Sequence, residues 1–442
     1  MPASPFDSTI YGDLFNDAEI ADLFSDSAEI RALLIVEGEL ARAQGDLGLI
    51  PRESAAAIHR ASLNVQIDAA GLAPETGQNA VVVPALIKAF RAAMQAPEHA
   101  QYVHWGATSQ DIIDTGLILR LQKALTIYQD RLTTLAKALG HLAQTHADLP
   151  MAARTWGQTA TITSFGAVIA SWGAPLLRHL DRLHELKPRL LQLSLSGAAG
   201  TLSVMGRAGP QVRADLARAL NLNNAPQSWH ATRDNMAELS AWMTLLTGSL
   251  GKMAEDMILL AQSGIEEISL TTSGGSSTMP QKSNPVLASL IAALARHASA
   301  LNATMQGAMI HRQQRDGVAW LAEWLSLPQI CIATGRALAA ANSLATEIAP
   351  NPANMAANID NGRGLIYAEA LTFALARQMP RPDAQAAIRS LCAQAMATKT
   401  SLPDLSMTKW PDAALAEICT PDAQLGTAPA QAHQFAQAAA AL

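Results

Sequence analysis

The sequence predicts an all-α protein of three helical domains, with a central bundle of long helices at the core of a tetramer. Three observations predict it. Leu117, Leu121, Leu125, Tyr128, Leu132, Leu135, Leu139 and Leu142 recur every three or four residues, the period of one helix face. Met236, Leu239, Met243, Leu246, Leu250, Met253, Met257 and Leu260 keep a strict alternation of three and four, a coiled-coil-like seam over several heptads. The 442-residue chain is 49% hydrophobic and only 15% charged, with much of the apolar content in Ala and Leu, both good helix formers. Stripes of this length need neighbouring helices to cover them, so a bundle follows. The surplus apolar surface predicts subunit contacts, with the 236–260 seam a candidate interface as well as core.

Residues 1–105 read as an N-terminal helical domain, with shorter patterns around 29–47, 52–61 and 81–94. The first is expected to stop at Gly45 and Gly48, ahead of Pro51. Residues 106–347 form the central bundle: the leucine stripe, the seam, and a third long segment from about 285 to 341 interrupted only by Pro328. Residues 348–442 are short patterns broken by Pro350, Pro352, Pro380, Pro382, Pro403 and Pro411, a small C-terminal helical domain. No strand alternation and no internal repeat stand out.

A formal charge of -6 and a pI of about 6.0 argue against a nucleic-acid partner. Cys331, Cys392 and Cys419 are widely spaced, as free thiols of a reducing compartment would be. No basic-then-apolar leader opens the chain, and no uninterrupted run of about 18 apolar residues suggests a membrane span. A cytoplasmic protein without a membrane partner is expected. There is no HExxH, paired Cys or acidic ligand cluster, no GxSxG elbow and no P-loop, so neither metal nor cofactor is expected.

Three segments carry chemistry. Gly274-Gly275-Ser276-Ser277-Thr278-Met279-Pro280-Gln281-Lys282-Ser283-Asn284-Pro285-Val286 is a small-residue loop running into a helix, with Asn284 a candidate N-cap. A lysine beside a helix N-terminus makes an anion site, although a solvated loop with an ordinary cap would account for the residues alone. His104-Trp105-Gly106-Ala107-Thr108-Ser109-Gln110-Asp111 contains a capping box, Thr108 with Asp111, at the head of the leucine stripe. Arg154-Thr155-Trp156-Gly157-Gln158-Thr159-Ala160-Thr161 is the third.

The first string resembles the GSSxMPxKxN signature of the fumarase/aspartase superfamily in full, and the second resembles that superfamily's HxGxTSxD motif. The third is similar to the stretch that reads RTHxQxAxP in adenylosuccinate lyases, with Trp156 in place of an acid His and Thr159 where many relatives carry another His. Trp156, the opener Trp229-His230-Ala231-Thr232-Arg233-Asp234 and the string Ala322-Glu323-Trp324-Leu325-Ser326-Leu327-Pro328 look like the branch of 3-carboxy-cis,cis-muconate cycloisomerases. Trp320 stands where adenylosuccinate lyases keep a phosphate-binding Ser.

The resemblance implies a cofactor-free, homotetrameric enzyme whose sites take segments from three chains. It implies Ser276, Lys282 and His104 as catalytic candidates, and Thr108 and Ser109 as hydroxyls on a substrate carboxylate. Arg154, Trp156, Gln158, Thr159, His230, Arg233, Ser277, Met279, Asn284, Arg315 and Glu323 complete the implied binding set. The expected reaction closes 3-carboxy-cis,cis-muconate, a tricarboxylate, to a lactone: one carboxylate adds to a double bond and a proton is delivered to the neighbouring carbon. An indole cannot transfer that proton, which leaves Lys282 and Ser276 as rival donors, with Lys282 slightly favoured. The alternatives are adenylosuccinate lyase or another fumarate-eliminating lyase, and an inactive crystallin-like helical scaffold.

Overall fold

The computed structural model describes residues 4–270, 274–275, 278–360, 362–411 and 413–442. Local chemistry starts and stops its helices. Ser25 caps α1 (Asp26–Asp46) by accepting from the Ala28 N–H at 3.3 Å, and Asp26 and Glu29 place negative charge at its positive end. Gly48, at φ +71°, ends it, and the Leu49 N–H bonds back to the Gln44 carbonyl at 2.9 Å. Gly45 is no stop: it lies inside α1, where an added Cβ would stand 2.3 Å from Ala55 Cβ, and one on Gly38 would stand 2.0 Å from Ser62 Oγ. These two positions let the helix Arg52–Asn64 approach α1 closely.

Among the described residues the long helices that follow are α2 (Ser109–Thr145), α3 (Phe165–Leu190), α4 (Asp234–Leu260), α5 (Val286–Gly307) and α6 (Gly317–Glu347). Leu117 to Leu139 of the α2 stripe are buried, and all eight seam residues of α4 are at most 8% exposed within a single chain. The core half of the seam's reading holds: its side chains are buried within one chain, which leaves little of them for a subunit interface. On these helices, exposed large apolar side chains lie off the seam, among them Leu245 and Leu259 on α4 and Val318, Leu321 and Leu325 on α6.

The segment 285–341, expected as one helix, is two, parted by residues 308–316. Asp316 makes the break. Its carboxylate accepts the Val318 N–H at 2.9 Å at the start of α6 and the Arg312 N–H and guanidinium at 3.0 and 2.7 Å. No apolar segment long enough to span a membrane was expected, yet α5 is long and apolar enough by length and composition, with 33% of its apolar stretch buried within the chain.

Among the described residues four short strands also depart from the expectation of none. β1 (Pro150–Thr155) and β2 (Gln158–Ser164) form an antiparallel hairpin, and β3 (Ile268–Leu270) pairs antiparallel with β4 (Ile348–Pro350). Thr155 pairs with Gln158, so Trp156 and Gly157 are a two-residue loop, at φ +54° and +73°. Positive φ at both central positions suits the right-handed twist of the flanking strands. The alternation Thr159, Thr161, Thr163 against Ala160 and Ile162 is the signal in the sequence.

The chain packs as two compact units. One comprises Met1–Asp130, His179–Gly248 and Leu294–Ala337; the other comprises Arg131–Arg178, Ser249–Ala293 and Leu338–Leu442. In the first, the buried Tyr128 hydroxyl donates to the Cys331 carbonyl at 2.8 Å. In the second, Ile162, Leu371, Ile388, Leu391, Leu402 and Leu415 share a core around the hairpin, and the Trp172 indole donates to Asp256 at 2.7 Å. The three consecutive segments read from the sequence stand as a proposal about grouping along the chain.

Candidate active site

In the first unit the start of α2 is organised by Asp111. Its buried carboxylate accepts the N–H groups of Thr108 at 3.0 Å, Ser196 at 2.7 Å and Gly197 at 3.0 Å, and meets His230 Nε2 at 2.8 Å. Half of the expected capping box is present, in the Asp111-to-Thr108 bond. The Thr108 hydroxyl instead accepts from Arg315 at 3.2 Å. His230, expected at the substrate, is 2% exposed and held by Asp111; its carbonyl takes the Gln110 amide at 3.0 Å.

Behind this lies a buried ion cluster. Arg233 donates to Asp114 at 2.7 and 3.2 Å and to Glu323 at 2.8 and 2.6 Å, and stacks 4.8 Å over Trp229. Trp320 donates to Asp114 at 3.3 Å. Burial works against the Arg233 charge, but Asp114 and Glu323 outweigh it and hold the guanidinium above its ordinary range. Burial likewise opposes ionisation of Glu323, and His311 and Arg233 outweigh it and pull its carboxyl below the usual range. His311 Nε2 stands 3.8 Å from Glu323, beyond a hydrogen bond. Arg233 and Glu323, expected in the binding set, are buried within the chain and bond one another, with Asp114 on the other edge of the guanidinium.

Arg315 differs. Its acceptors are Gln110 Oε1 at 2.8 Å, Thr108 Oγ1 at 3.2 Å and the Ala198 carbonyl at 3.2 Å, all neutral. Ser109 begins α2 beside it and is partly exposed. His104 is also partly exposed; its Nδ1 lies 2.6 Å from Glu37 Oε1, and its backbone sits at φ +65°. Burial opposes protonation of His104, but Glu37, with help from Asp111, outweighs it and raises the imidazole above its ordinary range.

In the second unit Arg154 forms a bidentate pair with the buried Glu267, at 2.8 Å on both arms, so its charge too is compensated. Trp156, placed by the resemblance in the binding set, is fully exposed at the hairpin tip of a single chain, and Gln158 and Thr159 are exposed beside it. The signature loop is closed at its base by paired bonds between Gly274 and Asn284, at 3.0 and 2.9 Å. Asn284 thus serves through its backbone, and α5 begins two residues later. A Cβ on Gly274 would stand 2.5 Å from the Val286 side chain. Met279 and Lys282 are exposed, and no described residue pairs with the Lys282 ammonium. Ser276 and Ser277 lie outside the described residues.

Sequence reasoning missed Glu37, Gln110, Asp114 and Glu267. Two left signals. Glu37 is a charge on the face of α1 that carries Leu33 and Leu40, and Asp111 and Asp114 flank Ile112 and Ile113 in a buried stretch. Among the described residues no group of three His, Cys, Asp or Glu side chains is placed to hold a metal ion.

A family model described as Lyase matches residues 11–299. Over 405 residues the chain is 36% identical to the 3-carboxy-cis,cis-muconate cycloisomerase of Acinetobacter baylyi, covering 90% of each protein. It is similar to the structure of the 3-carboxy-cis,cis-muconate lactonizing enzyme from Pseudomonas putida with a TM-score of 0.93 at 34% identity, covering 98% of this chain and 99% of that one. Against a fumarate lyase from Mesorhizobium sp. BNC1 the TM-score is 0.90 at 33% identity, with 96% and 98% covered. The chain is an enzyme of the lyase family, within the fumarase/aspartase superfamily.

Proposed function

We propose that the chain converts 3-carboxy-cis,cis-muconate to 4-carboxymuconolactone, a step in protocatechuate breakdown through β-ketoadipate. The observation that carries this reading is the charge of Arg315. Arg154, Arg233 and Arg312 each face a carboxylate, whereas Arg315 meets only neutral acceptors at the N-terminus of α2. A guanidinium without a counter-ion among the described residues, beside a helix start and two hydroxyls, suits a substrate carboxylate. The relatives that act on this tricarboxylate, by their names, support the choice of substrate.

In this reading Thr108, Ser109 and Arg315 hold one carboxylate. Lys282 and the loop bearing Ser276, Ser277 and Met279 meet another, with Gln158, Thr159 and Trp156 beside it. His230, Arg233, Glu323 and Asp111 position these groups, and Arg154 braces the hairpin. The enzyme is a cytoplasmic homotetramer, its sites each built from three chains, and it uses no cofactor, nucleic acid or membrane. Exposed Leu245, Leu259, Val318, Leu321 and Leu325 suit the subunit contacts. Leu325→Glu should dissociate the tetramer in light scattering and abolish turnover; an active wild-type monomer would refute the shared site.

The test is an absorbance assay with 3-carboxymuconate generated in place from protocatechuate. Loss of the diene without added metal, nucleotide or flavin, and with EDTA present, is expected. The likeness to a fumarate lyase supports a second reading, elimination of fumarate. Turnover of adenylosuccinate, with none of the muconate, would establish it instead.

A further inference from the structure

We propose that His104 Nε2 delivers the proton in this reaction, and that Glu37 is the residue that positions it. The inference rests on the cycloisomerase reading and identifies a donor on a chain that lacks the two histidines at positions 156 and 159.

The geometry points to a poised imidazole. Glu37 Oε1 lies 2.6 Å from Nδ1, and the Glu37 side chain has no solvent exposure. An ionised carboxylate can only accept, so Nδ1 carries a proton in both states and Nε2 is the atom that gains and loses one. No described residue bonds Nε2, and the side chain is 20% exposed, so this nitrogen is open to a ligand. Among the described residues the second Glu37 oxygen is buried without a hydrogen-bond partner, and the His104 imidazole is the group paired with that carboxylate.

The backbone supports the same assignment. A non-glycine residue at φ +65° costs on the order of 1–3 kcal/mol and persists where its surroundings hold it. Gln44 does so next door, donating to the Trp105 carbonyl at 2.6 Å. The groups acting on the imidazole are Glu37 on α1 and Asp111 on α2, which favour its charge, and Arg91 on the helix Val83–Met94, which with burial opposes it. The favourable pair wins, so His104 keeps its proton to a higher pH than an ordinary histidine. His104 also lies four residues from Thr108, the hydroxyl joined to Arg315.

The step balances. A substrate carboxylate oxygen forms the new C–O bond. The π pair of the attacked double bond moves to the neighbouring carbon, beside a second carboxylate, and takes the Nε2 proton as a C–H bond while N–H breaks. The imidazole is left neutral, its Nδ1–H still on Glu37, and regains a proton from water. Three carboxylates become two and a lactone, so each turnover consumes one proton. Lys282 supplies charge, and its proton stays in place.

The experiment is turnover of 3-carboxymuconate across pH by wild type, His104→Gln, His104→Gly and Glu37→Gln, with histidine-ring NMR titration of wild type and Glu37→Gln. Wild-type kcat/KM should fall as pH rises through the His104 titration. Glu37→Gln should move that limb and the His104 resonance together to lower pH with little change in KM, which a purely structural role would not do. His104→Gln should lose about a hundredfold or more in kcat and the limb with it. His104→Gly, which suits the left-handed backbone, should regain turnover with added imidazole. His104→Gln within tenfold of wild type, or an unmoved limb in Glu37→Gln, would overturn the donor. No muconate turnover by wild type would overturn the reaction and its proton step together. The pairing is read separately, and a His104 resonance that titrates alike with and without Glu37 would overturn it.

Discussion

Both carboxylate oxygens of Asp114 accept from the guanidinium of Arg233, at 2.7 and 3.2 Å, and neither side chain reaches solvent. Glu323 takes the other edge. Arg233→Leu would leave two buried carboxylates without a counter-charge and should cost about 3–5 kcal/mol. Arg233→Lys should recover little, because a compact ammonium cannot make paired bonds to two carboxylates. Denaturant melts measure both; a midpoint within error of wild type would contradict the cluster's role.

The same cluster sets an acid limit. The folded-state carboxyl of Glu323 is held below its ordinary value of 4.5. Its contribution to stability is therefore fully present above the unfolded value and is lost as pH falls through the folded one. Glu323→Gln should be less stable at neutral pH and should lose less stability below about pH 4.5 than wild type. Circular dichroism melts across pH give the comparison, and parallel curves would contradict it.

Lys282 is exposed without a partner among the described residues, which suits a charge that greets a carboxylate. If it supplies charge alone, Lys282→Arg should keep turnover within about tenfold, and Lys282→Ala should chiefly raise KM. A loss of about a hundredfold in kcat for Lys282→Arg would make the lysine the donor.

Trp156 occupies a left-handed position at the tip of the β1–β2 hairpin with its ring fully exposed. Asn tolerates that backbone, and Asn-Gly is the favoured pair for such a turn. Trp156→Asn should therefore leave the fold as stable or raise it by up to about 1 kcal/mol, in the range of compatible turn substitutions. It should lower turnover, since the proposal places the ring at a site completed by another chain. A variant with unchanged kcat/KM would remove Trp156 from the site.

The fold was legible where it depends on local period. The stripe on α2 and the seam on α4 read directly from spacing, because each helix face is set by residues three and four apart. The spacing left open whether the seam served core, interface or both; within one chain it is core. The break at Asp316 was missed because a capping carboxylate inside a long apolar pattern is a weak signal beside the pattern itself. The site was legible as motifs and illegible as charge. Glu37 lies 67 residues from His104, Glu267 lies 113 from Arg154, and Asp114 lies 119 from Arg233. Only folding shows which arginines are already neutralised, and Thr108, read as a helix cap, turns its hydroxyl to Arg315 across 207 residues.

In the proposed reaction a carboxylate adds within one molecule and nothing leaves. The measurement is the mass of the product formed from 3-carboxy-cis,cis-muconate, taken with proton uptake in a pH-stat. A product isomeric with the substrate, formed with one proton consumed per turnover, is the predicted result. A lighter product, or fumarate among the products, would contradict it.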